Sequence, residues 1–417
     1  MSSRIALALR GCLALGAAVA FTTAVQAAET KGPVTDDIGV FVIPKGAPIQ
    51  IGGYWVLSGA DTALGTDQKR AVEIAIKDVG GKLVGHPIKF DAEDSLCNSE
   101  GGQTAATKLA ANPNIVIVIG PSCSSEATPG APILWKAGIT SIGTSPTAPP
   151  LTAADRKPEY AGFVRTVYSD VDQGKSDAKW FHDVLKVKKI VTIHDGSPYA
   201  RGLALEMAKN FKAMGGTILS EEAIQPTDVD MHPLLTRIAT EKPDAVYFPI
   251  FVAAAAQIIR QAKDTPGLEK VAMIGSSGLM APDLIEAAKE AVVGFRITYP
   301  DLSPAAMGKG YPKFVGEYKK AYGEAPISGY HANAYDGAQL AFKAITKVAK
   351  TDHAGVTYIG KKALRDAVFA TKFEGISGPI ACDPYGECAK FKPAVYEFTN
   401  ADPKTYDIGK NPKKIWP

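Results

Sequence analysis

The chain lacks the marks of several large function classes. Its formal net charge is only +3, with no block of five or more like charges. That removes the electrostatic basis for holding a nucleic acid or an anionic membrane. Beyond residue 28 no apolar run approaches the ~20 residues that cross a bilayer. The six histidines form no HExxH pair, no serine stands in a GxSxG turn, and no Gly-rich phosphate loop is present. Zinc proteases, elbow-type hydrolases and P-loop enzymes are thereby excluded. His194 and Asp195 are the one suggestive pair. At a strand end they read as hydrogen-bonded structure rather than as a general base. Cysteine is scarce, at five residues, and no cysteine pair has a histidine close enough to complete a zinc set. Neither a metal nor a cofactor is called for, and the expected partner is a small molecule.

What is present begins with a delivery signal. Arg4 and Arg10 precede a short apolar run over 12–21, and Val25-Gln26-Ala27 offers small-residue cleavage, so residues 1–28 read as a secretory signal peptide. A lipobox at Cys12 fails because Arg10 lies inside it. With Cys12 removed, Cys97, Cys123, Cys382 and Cys388 remain. An even count in an exported chain reads as two disulfides. Three pairings are formally open, and pairing of neighbours is the simplest. The remaining ~390 residues exceed one core and imply two lobes.

After an irregular segment over 29–48, apolar strand runs alternate with amphipathic helices. Strands are predicted at 49–57, 88–92, 115–119 and 140–143, with helices at 67–79, 102–111 and 127–137 between them. This βαβα order implies a parallel sheet covered on both faces. The pattern restarts with strands at 190–193, 217–223, 245–249 and 271–275 and helices at 201–214, 233–241 and 254–264, implying a second parallel sheet. The Pro/Thr/Ala-rich stretch 144–163 reads as loop. A return crossing is expected near 297–302, then helices at 310–322, 331–349 and 360–370 with no strands between them, and a β-rich tail over 378–399 as a third crossing. Lobe 1 is assigned 49–164 plus 299–378, and lobe 2 165–298 plus 379–417. In open parallel sheets ligands bind beyond the carboxyl ends of the strands. That selects the loops 58–67, 121–128, 144–150, 195–201, 249–253 and 276–281.

Several runs, VLSGADTALGTDQKRAVEIAI, FDAEDSLC, IGPSCSSEATP, TSPTAPPLT, FVRTVYSDVDQG, IHDGSPYARGLA and HANAYDGAQLA, occur in an order and spacing that resembles the type I periplasmic binding proteins of branched-chain amino-acid ABC importers. The resemblance covers nearly the whole mature chain. It implies an α/β, two-lobed type I periplasmic binding fold with three hinge crossings, a ligand held in the interlobe cleft, a membrane permease as partner, and a Cys97–Cys123 disulfide. The expected protein is a monomeric, periplasmic capture component rather than an enzyme. The alternatives are a binder of aromatic acids or amides, and a ligand-sensing domain of the same fold, although a receptor would be expected to continue past Trp416-Pro417 into a membrane span.

The candidate site follows from the loops. Residues 121–125 (PSCSS) stand between a strand and a helix, so hydroxyls and amides, Ser122 and Ser124 among them, converge on a positive helix end suited to a carboxylate. By the resemblance, Ser124 falls where the family holds the α-carboxylate, Thr147 and the backbone near Ser145 meet the carboxylate and ammonium, and Tyr199 arrives from the second lobe. Phe251 and Leu64 are candidate apolar walls. At one place the sequence departs from the family. Where the family carries a glutamate facing the ammonium, this chain has Ser277. A buried ammonium without a counter-charge is costly. Either another acid replaces it, with Asp301 and Asp336 as candidates, or the ligand carries no ammonium.

Overall fold

The computed structural model describes residues 28–417, so the signal-peptide reading of 1–28 falls almost wholly outside the described residues. The first sheet is assembled from β1 (Ile49–Trp55), β2 (His86–Asp94), β3 (Ile115–Ile119), β4 (Thr140–Gly143) and β5 (Phe163–Arg165), in the order β2-β1-β3-β4-β5 and mutually parallel, with the two-residue strand Lys82–Leu83 antiparallel at the outer edge of β2. Its central strand β3, IVIVI, is buried at every position. Only a strand covered on both faces tolerates such a run. Helices α1 (Thr62–Asp78), α2 (Ser99–Ala111) and α3 (Ser124–Lys136) make the crossovers. Helix α1 begins five residues earlier than its apolar pattern suggests. Gly65 lies in this added turn, where a Cβ would meet the Val56 carbonyl oxygen at 1.9 Å, so only glycine lets the helix start so close to β1.

The second sheet repeats the order. Strands β6 (Lys189–His194), β7 (Thr217–Ala223), β8 (Ala245–Phe248), β9 (Ala272–Gly275) and β10 (Arg296–Pro300) run parallel as β7-β6-β8-β9-β10. Around them pack α4 (Asp170–Lys179), α5 (Pro198–Ala213), α6 (His232–Glu241), α7 (Val252–Lys263) and α8 (Pro282–Ala288). Helices α9 (Tyr311–Tyr322), α10 (His331–Val348) and α11 (Lys361–Ala370) return to the first sheet, whose core includes Phe314, Ala338, Leu340, Ile345 and Leu364.

Three expectations are corrected. The segment over 29–48 is not irregular: Glu29–Lys31 and Val34–Asp36 form a hairpin, and Val40–Ile43 pairs antiparallel with Thr357–Gly360. Phe41 and Ile43 are thereby buried in the first core. For the same reason α10 and α11 do have strand between them. The second sheet is also not wholly parallel, since β11 (Pro393–Glu397) adds antiparallel to β10 and β12 (Lys413–Trp416) antiparallel to β11. Helices α4 and α8 were not anticipated. α4, DVDQGKSDAK, buries Asp170, Gln173 and Asp177 instead of an apolar stripe, so the usual periodicity signal is missing.

Candidate functional site

Both sheets reverse strand order at a central strand, and their carboxyl ends face each other. A loop that follows such a strand and opens a helix presents free amides at the positive end of the helix dipole. Between the two sheets lies a narrow cavity. The first lobe lines it with Leu64, Ser122, Cys123, Ser124, Ser145, Thr147 and Tyr330, and the second with Tyr199, Phe251, Ser277 and Gly278. All eight residues singled out from the sequence therefore stand around one space.

The hydroxyls there are not equivalent. Ser122 Oγ accepts from Val56 N (3.0 Å) and donates to Glu126 (3.2 Å). Ser145 Oγ donates to the Ser122 carbonyl (2.6 Å) and accepts from Gln68 Nε2 (2.9 Å). Both shape the wall and have little capacity left. Ser124 Oγ accepts from Ala148 N (3.1 Å), which leaves its own proton free to donate. Thr147 lies against Asp170: its carbonyl accepts from Asp170 N (3.0 Å), and its hydroxyl is near enough to the Asp170 carboxyl to lower its proton affinity. On the opposite wall Tyr199 packs on Phe251, ring centroids 5.4 Å apart, and its hydroxyl accepts from Gly278 N (3.1 Å). Among the described residues no arginine, lysine or histidine lines the cavity. Lys69 pairs with Glu73 and Arg70 with Glu324, while Arg201 is exposed.

A family model described as periplasmic binding protein matches residues 48–389. The chain belongs to this family. It is 28% identical over 379 residues to the leucine-specific-binding protein of Salmonella typhimurium, covering 90% of this chain and 94% of that one. Among solved structures, a leucine binding protein of Thermotoga maritima superposes with a TM-score of 0.74 at 24% identity, over 85% of this chain and 96% of that one. A solute binding protein of an ABC transporter from R. palustris, in complex with benzoate, gives 0.69 at 22%, over 88% and 96%.

In this periplasmic binding protein the loop before α3 is organised by a residue the sequence reading passed over. Glu126, fully buried, accepts from Ser95 Oγ (2.7 Å), Cys97 N (2.9 Å), Ser122 N (3.0 Å) and Cys123 N (2.7 Å). Burial pushes its carboxyl up to about 7, against the pull of these donors. The Cys97–Cys123 disulfide ties the same two loops, and Cys382 pairs with Cys388. Since Glu126 occupies the Ser122 and Cys123 amides, the helix-end donors without a partner among the described residues are the amides of Ser124 and Ser125. A glutamate two residues after a candidate ligand serine, at the N3 position of a helix, is a capping-box signal that could have been read.

Ser277 does not stand alone either. It donates to Gln173 Oε1 (2.9 Å) and lies 3.3 Å from the Tyr168 hydroxyl, which bonds Tyr330 (2.9 Å). The two acids considered as replacements for a glutamate are elsewhere. Asp301 pairs with Lys414 (2.7 Å), and Asp336 accepts from Ile376 N and Ser377 N. The carboxylate behind this site is Asp170, at the start of α4. Among the described residues its two oxygens are buried without a hydrogen bond of good geometry, the Thr147 hydroxyl being the near neighbour. Burial raises its carboxyl to about 7, and its charge acts on the cavity residues Tyr199 and Tyr330. His194 and Asp195 diverge: His194 Nδ1 accepts from Gly196 N (3.1 Å), while Asp195 caps Ser197 N (2.9 Å).

Proposed function

We propose that the protein is the periplasmic substrate-binding component of an ABC importer, capturing a small carboxylate of the amino-acid type between its lobes and handing it to a membrane permease. The observation that carries this reading is the unused donor capacity of Ser124 and of the Ser124 and Ser125 amides at the edge of a two-lobed cavity. Helix-end amides and a hydroxyl bind a carboxylate without needing a cation. Thr147 adds a second hydroxyl, Tyr199 and Phe251 close from the other lobe, Leu64 supplies apolar wall, and Ser122 and Ser145 hold the loops in shape. The moving bodies are the first sheet with α1–α3 and α9–α11 and the second sheet with α4–α8; the N-terminal strands and the paired strands Lys372–Glu374 and Pro379–Ala381 ride with the first, and β10 through Pro300 with the second, so the divisions at 299 and 378 shift accordingly. The signal segment directs export and is then cleaved, the working form is a monomer, and the captured molecule is returned unchanged.

A second ligand class has its own support. Ser277 is neutral and engaged by Gln173, and Tyr199, Phe251 and Tyr330 give the cavity an aromatic lining, which suits an aromatic carboxylate. If the ligand does carry an ammonium, Asp170 is the acid placed to answer it. A thermal-shift series with L-leucine, L-isoleucine, benzoate and 4-hydroxybenzoate tests both readings. A ligand at about 100 times its Kd adds about 2.7 kcal/mol. A rise in Tm with either acid class supports capture. No rise with any of the four, together with none for neutral amides, overturns it.

A further inference from the structure

Helix α7 has no cap of its own. Its N-cap position is Phe251, which has no side-chain acceptor, and its first turn, Val252 to Ala255, contains no acid. The first amides of a helix need an acceptor when they are withdrawn from water. Here Val252 N donates to Asp61 Oδ1 at 3.3 Å. Asp61 precedes α1 in the first lobe, and α7 belongs to the second. This hydrogen bond joins the lobes at the mouth of the cleft, apart from those beside the first crossing, such as Asp170 N to the Thr147 carbonyl and Tyr168 to Tyr330. Open grooves flank it on both sides, one lined by Arg260 and Asp283, the other by Asn98 and Asp195. The contact thus sits in the mouth of the cleft, one residue from the cavity wall at Phe251.

We propose that Asp61 is a latch in trans: lobe closure completes the missing cap of α7, and the protonation state of the Asp61 carboxyl sets how firmly the cleft stays shut. The groups facing it are acids. Asp195, after β6, and Asp283, on α8, both oppose its charge, and Glu286 lies in the same groove. Arg260, the nearest cation in that groove, is directed to Gln257 and the Ala287 carbonyl, and no ion pair engages Asp61 among the described residues. Burial is the largest influence and raises its carboxyl to about 6, against the lowering effect of Val252 N–H. The closed state therefore favours the protonated form. Closure strengthens as pH falls through about 6 toward the ordinary carboxylate value and weakens above it. A neutral carboxyl still offers its carbonyl oxygen to Val252 N–H.

This inference rests on the two-lobe capture reading but is tested without a captured molecule. Spin labels at Glu100→Cys and Val229→Cys, exposed positions on opposite sides of the mouth, report its width in the ligand-free mature chain at pH 5 and pH 8. In the otherwise native chain the short-distance population is expected to grow several-fold at pH 5. Asp61→Asn, which keeps an acceptor and has no charge, should hold the short population at both pH values. Asp61→Ala should fall below Asp61→Asn at both. A pH response that survives in both variants assigns the effect to the other acids and overturns the latch. Equal widths for Asp61→Asn and Asp61→Ala also overturn it. Failure of leucine, isoleucine and benzoate to bind would count against the capture reading and leave these distances readable.

Discussion

Replacing Ser124 by alanine probes the site most directly. The Ser124 hydroxyl is fixed by Ala148 N–H at 3.1 Å, so its lone proton points away from that donor, beside the two partnerless amides at the start of α3. A hydrogen bond to an ionised group contributes ~1.5 to 3 kcal/mol. Its loss corresponds to a roughly ten- to hundredfold rise in Kd. The same substitution strips Ala148 N–H of its acceptor, a structural cost of ~1 to 3 kcal/mol. Two measurements separate these effects. Calorimetry with the best of leucine, isoleucine, benzoate and 4-hydroxybenzoate gives the change in Kd, and the ligand-free Tm gives the structural cost. A lowered Tm with an unchanged Kd would refute the carboxylate assignment, because the hydroxyl would then serve only its own loop.

Other outcomes follow from the same geometry. Ser277→Ala should change Kd much less than Ser124→Ala, since Ser277 already donates to Gln173, whereas Ser277→Glu should tighten a zwitterion and weaken a plain carboxylate; calorimetry with leucine and benzoate reads both signs. Ligand-free stability should rise as pH falls from 8 toward 5. The carboxyls of Glu126, Asp170 and Asp177 are raised to about 7 and that of Asp336 to about 6, in each case chiefly by burial. Groups raised on folding stabilise below their unfolded values and lose that contribution as pH climbs through the folded ones. A Tm that falls steadily over this acidification would contradict it. Reduction of Cys97–Cys123, which spans 26 residues, should cost roughly 3 kcal/mol in the chain-entropy model and loosen the Ser122–Ser124 loop, seen as a lower Tm and weaker binding under reductant.

Much of the architecture was legible because burial in a parallel sheet leaves a local trace. The run IVIVI over 115–119 became a strand buried at every position, since backbone pairing and two covered faces demand continuous apolar sequence, whereas 217–223, TILSEEA, is a partly exposed edge strand. The loops around the cavity followed from strand order, while Ser124, Ser145, Thr147, Tyr199 and Ser277 were picked out within them by the family resemblance. Local pattern could not reveal elements whose burial is polar or borrowed. Helix α4 turns Asp170, Gln173 and Asp177 inward, and the last two are met by residues far along the chain, Gln173 by Ser276 (2.8 Å) and Asp177 by Tyr247 (2.7 Å) and Thr298 (2.9 Å). The strand Val40–Ile43 exists because Thr357–Gly360 lies beside it, over 300 residues later. Glu126, Gln68 and Asp61 likewise take their roles from partners that only the folded chain brings near. The sequence by itself determined the two sheets and the cleft between them, because hydrophobic period is a local property. Which hydroxyls are free, which acid lies behind the cavity wall and what caps α7 were decided by tertiary structure, because a hydrogen bond is set by distance in space rather than by separation along the chain.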